Sequence, residues 1–392
     1  MSVSVKVSDS QRYMERALRL AQRGLGSVEP NPAVGAVIVK DNRVIGRGHH
    51  KKFGGPHAEI NALEDCAHSG NDSRGATIYV TLEPCSHQGK TGPCTEALIS
   101  AGLKRVFVAM IDPSEHASGR GIEQLRRAGI EVEIGLCETE ARLLNAPFVK
   151  YAATGRCWVT LKWAQSIDGK LAWTDTNQEN QWISNELSRK DVHKLRRRVQ
   201  GILVGINTIL ADDPLLTVRP SKGRRPIRIL LDSHLRIRPD CQLLRTTKES
   251  PVMIVTRQDS IDANPRVASE IRDKGAELFV CPDTPGRSNL VFLLDELSHR
   301  GIGHLLVEGG PTVLTSFLKE DLADEMVVYI APEIFGARGG AEITRPMAEL
   351  AQSIGLRHVD VKRFGDDVRL SGLTQKGLHN ISVGEAGYLA DE

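Results

Sequence analysis

Short apolar runs alternate with segments of helical periodicity along most of the 392-residue chain, and this alternation restricts it to layered α/β folds. The alternation occurs in two rounds. In the first round a hairpin is predicted, because the turn residues Asp41 and Asn42 separate two strand-like runs. The predicted strands span residues 32–39, 44–48, 76–82 and 105–110, and the predicted helices span residues 9–23, 57–67, 93–101 and 137–150.

The second round begins after a predicted linker at residues 152–156 and contains more strands than the first. Strands are predicted at residues 157–164, 201–205, 227–232, 252–256, 277–281, 304–307 and 326–330, and helices at residues 186–198, 264–274, 293–300 and 312–320. From Gly377 onward the chain is polar and glycine-rich, which predicts a frayed tail. The sequence therefore divides into a first domain at 1–151, a second domain at 152–376 and a tail at 377–392.

Composition excludes several classes of protein. The chain has 51 Lys and Arg against 49 Asp and Glu, so it lacks the cationic excess of a nucleic-acid-binding domain. No run approaches the roughly 18 apolar residues of a membrane-spanning helix, and the first residues lack the apolar core of a signal peptide. The seven cysteines are odd in number and widely spread, unlike a disulfide framework. These features predict a cytoplasmic protein without a nucleic-acid or membrane partner.

Three residues of the first domain predict a catalytic zinc site. His57 begins a predicted helix, and Cys85 and Cys94 each directly follow a proline. One imidazole and two thiolates suit Zn²⁺, and three protein ligands leave the fourth tetrahedral position for water. Glu59 lies two residues after His57, so its carboxylate can reach that water without binding the metal. It could accept the proton of the water and pass it to a leaving amine.

The residues alone leave a second interpretation open, in which both cysteines are small buried side chains and His57 caps a helix. Glu59 and the two Pro-Cys pairs favour the catalytic interpretation. The remaining cysteines lie in apolar or strand contexts and are predicted to be structural: Cys66, Cys137, Cys157, Cys241 and Cys281. Three histidines are predicted to be surface or structural residues: His49, His50 and His68. His87 and Lys90 could contact a substrate or lie in a solvated loop.

The pattern H-x-E followed by P-C-x-x-C is the signature of zinc deaminases, but here eight residues instead of two separate Cys85 from Cys94. The segment TLEPCSHQGKTGPC (81–94) resembles the long-insert form of the riboflavin-pathway branch of that superfamily. Asn31-Pro32-Ala33-Val34-Gly35 resembles its substrate-binding segment. The first domain is thus identified as similar to a pyrimidine deaminase.

The second domain lacks the G-x-G-x-x-G fingerprint of a Rossmann dinucleotide site. Instead, the predicted strand at 304–307 leads into Glu308-Gly309-Gly310-Pro311-Thr312 and then a helix. Glycines let the backbone approach a ligand, and proline suits a first helical turn. The N–H groups of that turn could hold a diphosphate. Many strand-to-helix turns look alike, so this turn alone does not identify a nucleotide site.

Two further segments, TLKWAQSIDGK (160–170) and ADDPLLTVR (211–219), carry a resemblance together with EGGPTVLTS (308–316). They resemble the reductase half of the bifunctional deaminase–reductases of riboflavin biosynthesis, whose fold is like that of dihydrofolate reductase. The resemblance covers nearly all of residues 10–375, in the order deaminase then reductase. It implies an α/β chain with an N-terminal cytidine-deaminase-like three-layer domain and a C-terminal dihydrofolate-reductase-like domain.

The resemblance also implies site residues. NADPH would contact Ala164, Trp182, Thr208, Asp212, Gly310, Pro311, Thr312, Val313, Leu314, Thr315 and Ser316. The pyrimidine ribose phosphate substrate would contact Asn31 in the first domain and Asn180, Arg196, Leu216, Arg219 and Glu308 in the second. Lys162 and Asp168 are further candidates for that pocket, and Arg257 is a candidate for the 2′-phosphate of NADPH. Each has a simpler interpretation: Arg196 belongs to a solvated charge run, Trp182 to the core, and Asp212 to a turn.

The activity implied is zinc-dependent hydrolytic deamination of 2,5-diamino-6-ribosylamino-4(3H)-pyrimidinone 5′-phosphate, followed by NADPH-dependent reduction of the ribosyl chain by a homo-oligomeric enzyme. Two alternatives remain at this point. A tRNA or nucleoside deaminase with an appended domain would share the zinc residues, but it predicts a basic, aromatic-lined groove, whereas aromatic residues here are 4%. In the second alternative, the zinc is a structural clip and the C-terminal half is a nucleotide-binding sensor. A structural zinc needs no free carboxylate beside it, so Glu59 disfavours this alternative.

Overall fold

A computed structural model describes residues 8–87, 92–115, 117–172, 182–219, 225–282, 289–343, 347–348 and 350–382. These residues form two units, an N-terminal unit up to Thr154 and a C-terminal unit from Gly155 to Ser382. Each unit contains one sheet of its own.

The N-terminal unit has five strands and six helices among the described residues. The strands are β1 (Gly35–Lys40), β2 (Arg43–His49), β3 (Thr77–Val80), β4 (Arg105–Val108) and β5 (Glu131–Ile134). The helices are α1 (Asp9–Ala21), α2 (Ala58–His68), α3 (Cys94–Ser100), α4 (Arg120–Arg127), α5 (Glu138–Leu144) and α6 (Ala146–Thr154). A 3₁₀ turn, Gln22–Gly24, follows α1.

The sheet of this unit has the order β2-β1-β3-β4-β5. The hairpin β1–β2 is antiparallel, as predicted, and β3, β4 and β5 are mutually parallel. Side chains alternate between the two faces along β1, so Ala36 and Ile38 pack with α2, α3 and α4, whereas Val37 and Val39 pack with α1, α5 and α6. Helices therefore cover both faces of the sheet in three layers.

The C-terminal unit has a nine-stranded sheet. Its strands are β6 (Trp158–Gln165), β7 (Gly201–Gly205), β8 (Ile227–Leu231), β9 (Val252–Thr256), β10 (Glu277–Val280), β11 (His304–Val307), β12 (Glu325–Ile330), β13 (Arg357–Phe364) and β14 (Asp367–Leu373). Its helices are α7 (Glu186–Arg198), α8 (Ile206–Asp212), α9 (Gln242–Arg245), α10 (Gln258–Ala263), α11 (Pro265–Asp273), α12 (Asn289–His299), α13 (Pro311–Lys319) and α14 (Gln375–Ser382). A 3₁₀ turn, Gly336–Arg338, follows β12.

The strand order in this sheet is β10-β9-β8-β7-β11-β6-β12-β14-β13. The first seven strands in that order are parallel, and the hairpin β13–β14 adds an antiparallel edge. Apolar side chains from α12 and α13 pack on one face, and those from α8, α9 and α11 pack on the other. The carboxyl ends of β6, β7 and β11 lie side by side at the centre, the usual place for a ligand in a parallel sheet.

The structure differs from the sequence-based prediction near the domain boundaries. The single helix predicted at 137–150 is two helices, because Pro147 has no N–H to continue α5. Asn145, at the break, is buried and bonds through its side chain to both backbone groups of Ala33. The predicted linker at 152–156 begins inside α6. The tail predicted from Gly377 begins inside α14.

The start of that tail is docked on the C-terminal unit. A Cβ on Gly377 would lie 2.0 Å from the carbonyl oxygen of Asp324, and Asn380 donates to the carboxylate of Asp324 at 2.6 Å. The hairpin β13–β14 was not predicted either. Seven of the eight residues of β13 are exposed, so the strand lacks the buried face that a period-of-two pattern would reveal.

Candidate functional site

Strand ends bring the predicted zinc ligands together at one edge of the five-stranded sheet. His57 is the N-cap of α2, Cys85 follows β3, and Cys94 is the first residue of α3. Because β1 runs antiparallel to β3, with Ala36 opposite Val80, the segment around Asn31 that precedes β1 lies at the same edge. Asn31 is half-buried in a turn there, and its N–H donates to Val28 O.

The distances within this group fit a metal ion. The Nδ1 atom of His57 lies 3.2 Å from the Cys94 sulfur and 3.5 Å from the Cys85 sulfur. All three ligand atoms lie within 4.8 Å of one another, in the one such cluster found among the described residues. Tetrahedral zinc separates nitrogen and sulfur ligands by about 3.6 Å, as its bond lengths require.

The electrostatics of the three side chains also fit a cation. Hydrogen bonds from Cys94 and His57 to the Cys85 sulfur lower the pKa of Cys85 to about 4, against the effect of burial. The hydrogen bond to Cys85 and burial raise the pKa of Cys94. The hydrogen bond to Cys85 likewise raises the pKa of His57. Two thiolates in contact repel each other, and a divalent cation between them removes that repulsion.

Glu59 lies in the first turn of α2 and is 3% exposed. Burial raises the pKa of Glu59 to about 7. Its carboxylate is not a member of the His57, Cys85 and Cys94 cluster. A carboxyl group that binds and releases a proton near neutral pH is suited to general acid–base chemistry.

Helix α4 supplies no ligand, yet it fixes the turn that carries Cys85. The buried carboxylate of Glu83 accepts four backbone hydrogen bonds, from Asp112, Gly119, Gly121 and Ile122, at 2.8–3.3 Å. A Cβ on Gly121 would lie 2.0 Å from Pro84 O, so glycine is required there. This role of Glu83 was not predicted from the sequence, although an acidic residue next to Pro84 at a strand end is a signal that could have indicated it.

A second connection runs from α4 to the metal ligands through Thr95. The Thr95 hydroxyl lies 2.7 Å from Gln124 Oε1 in α4 and 3.3 Å from Cys85 O, to which the Thr95 N–H also donates at 3.2 Å. The Cys94 N–H donates to the Cys85 sulfur at 3.4 Å. The relative position of the two cysteines is therefore set by hydrogen bonds from Thr95 and from the Cys94 backbone.

His50, interpreted from sequence as a surface or structural residue, is 3% exposed and its ring lies edge-on to that of His57, with centroids 5.5 Å apart. Its Nδ1 lies 3.0 Å from Pro56 O, which assigns this nitrogen as the donor. The other nitrogen, Nε2, is an acceptor without a hydrogen-bond partner among the described residues. His50 thus presents an unused acceptor beside the metal centre. Of the other loop candidates, Lys90 lies outside the described residues.

In the C-terminal unit, three adjacent parallel strands bring candidate cofactor residues together at their carboxyl ends. Ala164 lies near the end of β6, Glu308 follows β11, and Thr208 lies in α8 directly after β7. The Gly205 N–H donates to Gly309 O at 2.9 Å, and a Cβ on Gly310 would lie 3.5 Å from the Thr208 hydroxyl. Gly309 has φ +117°, which requires glycine.

Helix α13 presents only part of the predicted Gly310–Ser316 contact segment to a ligand. Pro311 is its first residue, and Thr312 is exposed beside it, while Ser316 is half-buried one turn later. Leu314 is fully buried in the core, and its N–H donates to Gly310 O. Val313 packs partly buried against the core. The Thr315 hydroxyl is buried without a partner among the described residues.

A buried charge cluster lies beside these strand ends. The guanidinium of Arg196 makes a bidentate ion pair with Glu308 at 2.6 and 2.9 Å, and Lys162 lies 3.7 Å from the same carboxylate. Burial opposes ionisation of Glu308, but the two cations outweigh it and lower its pKa to about 2. Two cations against one carboxylate leave a net positive charge in a buried pocket. Such a charge favours an anionic ligand.

The segment with Leu216 and Arg219 is held next to this cluster. Arg196 donates to Thr217 O at 3.2 Å, and the fully buried Arg228 donates to Leu215 O at 3.0 Å. Leu216 has φ +51° and its side chain is in the core, so only its backbone can face a ligand. Arg219 is exposed.

The remaining predicted residues are more peripheral. Asp212 is exposed at the end of α8, and Trp182 is 59% exposed, with the Arg189 guanidinium 5.1 Å from its ring centroid. Asp168 accepts backbone hydrogen bonds from Phe335 and Gly336 at 3.1 and 2.8 Å and so holds a loop. Arg257 forms an exposed ion pair with Asp259. Asn180 lies outside the described residues.

Comparisons with known proteins agree with this architecture. Residues 7–110 match the family described as cytidine and deoxycytidylate deaminase zinc-binding region, and residues 157–370 match the RibD C-terminal domain. The chain is 43% identical over 360 residues to riboflavin biosynthesis protein RibD of Aquifex aeolicus, which covers 91% of this chain and 96% of that protein.

Two solved structures are similar over most of their length. Acinetobacter baumannii RibD is 38% identical, with a TM-score of 0.79, over 94% of this chain and 99% of that one. A diaminohydroxyphosphoribosylaminopyrimidine deaminase/5-amino-6-(5-phosphoribosylamino)uracil reductase from Thermotoga maritima is 35% identical, with a TM-score of 0.77, over 93% and 99%.

The predicted fold class, a cytidine-deaminase-like domain followed by a dihydrofolate-reductase-like domain, is confirmed. Among the described residues, no helix is both long and apolar enough to span a bilayer. The chain belongs to the RibD family of riboflavin biosynthesis, and it carries both the deaminase domain and the reductase domain of that family.

Proposed function

We propose that the chain catalyses two successive reactions on one pyrimidine ribose phosphate. In the first, water replaces the 2-amino group of 2,5-diamino-6-ribosylamino-4(3H)-pyrimidinone 5′-phosphate and ammonia leaves. In the second, NADPH and a proton reduce the opened ribosyl chain to give 5-amino-6-ribitylamino-uracil 5′-phosphate. The observation that carries the proposal is the pairing of a His-Cys-Cys cluster and an unligated buried acid in one unit with a buried cationic pocket in the other.

In the deaminase unit, His57, Cys85 and Cys94 would hold zinc, which when bound supplies a Lewis acid that acidifies water. The Glu59 carboxylate would take up a proton from the attacking water and deliver it to the departing amine. The Glu59 side chain is almost fully buried, and this burial keeps bulk water away from its carboxylate. Asn31 would bind the pyrimidine at the same edge of the sheet.

In the reductase unit, NADPH would supply the hydride, and its diphosphate would lie on the turn Gly310–Thr312 and on Thr208. The open space beside Gly309 fits a ligand that approaches the main chain closely. Asp212 and Trp182 would contact the nucleoside parts at the rim of the site. Ala164, at the end of the central strand β6, would lie under the cofactor.

Arg196, Arg219 and Glu308 would hold the ribose phosphate. Three of the five N–H groups of Arg196 are engaged by Glu308 and Thr217, which leaves two for the substrate. The Glu308 carboxylate, ionised because of its two cationic neighbours, can accept a hydrogen bond from a substrate hydroxyl. Lys162 adds positive charge in the same pocket.

Mass spectrometry of the pyrimidine product tests both steps and their order. Without NADPH, the product should differ from the substrate by replacement of one amino group with oxygen. With NADPH, it should gain two further hydrogens. Ammonia release from RNA, or a two-hydrogen gain without prior deamination, would contradict the proposal.

We further propose a cytoplasmic location and a homo-oligomeric state, with no nucleic-acid or membrane partner. All seven cysteines are free, as a reducing compartment would keep them. The exposed edge strand β13, with Val359 and Val361 half or more exposed, offers a surface for a second copy.

A further inference from the structure

Four arginines surround one concave surface of the N-terminal unit. Arg16 and Arg19 lie three residues apart on α1, and Arg23 lies four residues further on, in the 3₁₀ turn that follows the helix. Arg47 faces them from β2, the edge strand of the sheet. The cavity between them has a volume of about 310 Å³, and Leu20 is its one apolar lining residue.

The charges of these side chains are largely unbalanced. Among the described residues, Arg16, Arg23 and Arg47 form no ion pair, and Arg19 is 3.9 Å from Glu15, with both side chains exposed. The nearby Arg12, outside the cavity, is paired with Asp9 at 3.5 Å. Since the whole chain has a formal charge of only +2, this accumulation is a local feature rather than a result of overall basicity.

The arginines also act on one another. Burial and the charges of Arg47 and Arg19 lower the pKa of Arg16. Like charges on a solvated helix face can move apart into water, whereas these four side chains converge on one cavity from α1, the 3₁₀ turn after it and β2. A bound anion would remove the repulsion among them.

The size and chemistry of the cavity limit the ligand. Its volume lies at the small end of the range of about 300–1,000 Å³ for small-molecule pockets. Planar guanidinium groups pair with phosphate oxygens through two parallel hydrogen bonds, and several of them match an anion with several phosphoryl groups. Leu20, which is 8% exposed, provides one apolar wall, and no acidic residue is among the lining residues.

We propose that the cavity lined by Arg16, Arg19, Arg23 and Arg47 binds a di- or triphosphate group, at a site separate from the two catalytic sites. The number of guanidiniums engaged should set the affinity. Tripolyphosphate should therefore bind more tightly than pyrophosphate, and pyrophosphate more tightly than orthophosphate or ribose 5-phosphate.

The test is calorimetric titration of the full zinc-loaded chain with inorganic pyrophosphate and tripolyphosphate at low salt. The variant Arg16→Gln/Arg47→Gln should weaken binding at least ~10-fold, since charge-assisted hydrogen bonds are lost. The matched control Arg12→Gln/Arg43→Gln removes the same charge from the same helix and strand outside the cavity, and should weaken binding by less than about threefold. Any chelation of zinc by the anions affects all three proteins equally.

Because Arg16 is half-buried, its replacement could disturb folding, and a second variant controls for that effect. Arg23→Gln/Arg47→Gln changes two exposed side chains and should reproduce the loss of affinity with an unchanged melting curve. Equal losses in the cavity variants and the control would show a general charge effect and overturn the proposal. Absence of pyrophosphate binding by the unmodified chain, or equal affinity for ribose 5-phosphate and pyrophosphate, would also overturn it.

Discussion

The metal centre of the N-terminal unit and the cationic pocket of the C-terminal unit are assembled by different interactions. His57 and Cys94 are 37 positions apart. Cys85 and Cys94 are held in place by the hydrogen bonds that Thr95 donates to Cys85 O and by those that backbone N–H groups at the start of α4 donate to the Glu83 carboxylate. Arg196 and Glu308 are 112 positions apart and hold each other directly by a buried ion pair. In the first site the scaffold positions the reactive groups, whereas in the second the reactive groups are themselves part of the scaffold.

This difference has a consequence for mutations. A change at the metal centre should remove chemistry while leaving the fold intact, because α4 and the backbone hydrogen bonds remain. A change in the pocket should remove stability and chemistry together, because the ion pair serves both.

The largest effect is expected for Glu308→Gln. This change leaves Arg196 and Lys162 buried without their shared carboxylate, and removal of one partner of a buried pair costs about 3–5 kcal/mol. All four tryptophans, at 158, 163, 173 and 182, lie in the C-terminal unit, so denaturant unfolding followed by tryptophan fluorescence reports that unit alone. Deamination should be unchanged.

The control for Glu308→Gln is Glu186→Gln, which disrupts an exposed ion pair with Lys190 in α7. It should cause no measurable loss of stability or reductase activity. If Glu308→Gln lost reductase activity at full stability, the pocket would be held by other contacts and the distinction between the two sites would fail.

Glu59→Gln should lower the deamination rate at least ~10²-fold, the lower bound for loss of a general acid–base group. Zinc content and the melting curve should stay unchanged, because the amide keeps the shape of the side chain and Glu59 is not in the ligand cluster. Ammonia release and elemental analysis measure the two quantities. Glu64→Gln, on the exposed side of the same helix, is the matched control, and loss of zinc in Glu59→Gln would show that this residue helps to hold the metal.

The metal centre was visible in the sequence because its signals are local. The pattern can be recognised without knowledge of the fold: a histidine at a helix start, an acid two residues later, and two Pro-Cys pairs. The hydrogen bonds of Glu83 that support the turn carrying Cys85 could not be predicted in the same way. Glu83 is readable next to Pro84, but the N–H groups it binds belong to residues 29–39 positions later, which only the fold brings near.

The cationic pocket was predicted only through resemblance, for a physical reason. Arg196 lies in the charged run His193–Arg198, which is typical of a solvated helix face, and nothing in the local sequence shows that its guanidinium bonds to Glu308, 112 positions later. The same limit explains β13, which is exposed along almost its whole length, and α14, whose packing depends on Gly377 approaching the backbone of Asp324. Strands with both faces buried, such as β7 and β9, were predicted with the correct bounds.

Thr95→Val should weaken zinc binding by about 10-fold, the lower end for loss of an outer hydrogen bond to a metal ligand. The substitution keeps the volume of the buried side chain but removes the hydroxyl between Gln124 and Cys85 O. Competition with a chromophoric chelator measures the dissociation constant. Thr95→Ser keeps the hydroxyl and should bind zinc nearly as well as the unmodified chain, so equal affinities for the Val and Ser variants would rule out a positioning role.

The smallest effect concerns pH and again separates the two units. Burial and the charges of Arg196 and Arg219 lower the pKa of His193, while Glu308 opposes them weakly. The folded C-terminal unit therefore holds His193 neutral where the unfolded chain would protonate it. Its contribution to stability is complete above the unfolded pKa of about 6.5 and is lost as the pH falls through the lowered folded value. Glu308, with a pKa of about 2, does not titrate in this range.

The free energy of unfolding, measured by tryptophan fluorescence between pH 7.5 and 5.5, should thus decline with falling pH, and His193→Gln should reduce that decline. A parallel decline in both proteins would place the acid-sensitive group elsewhere, and the pocket would then owe its pH response to something other than its own positive charge.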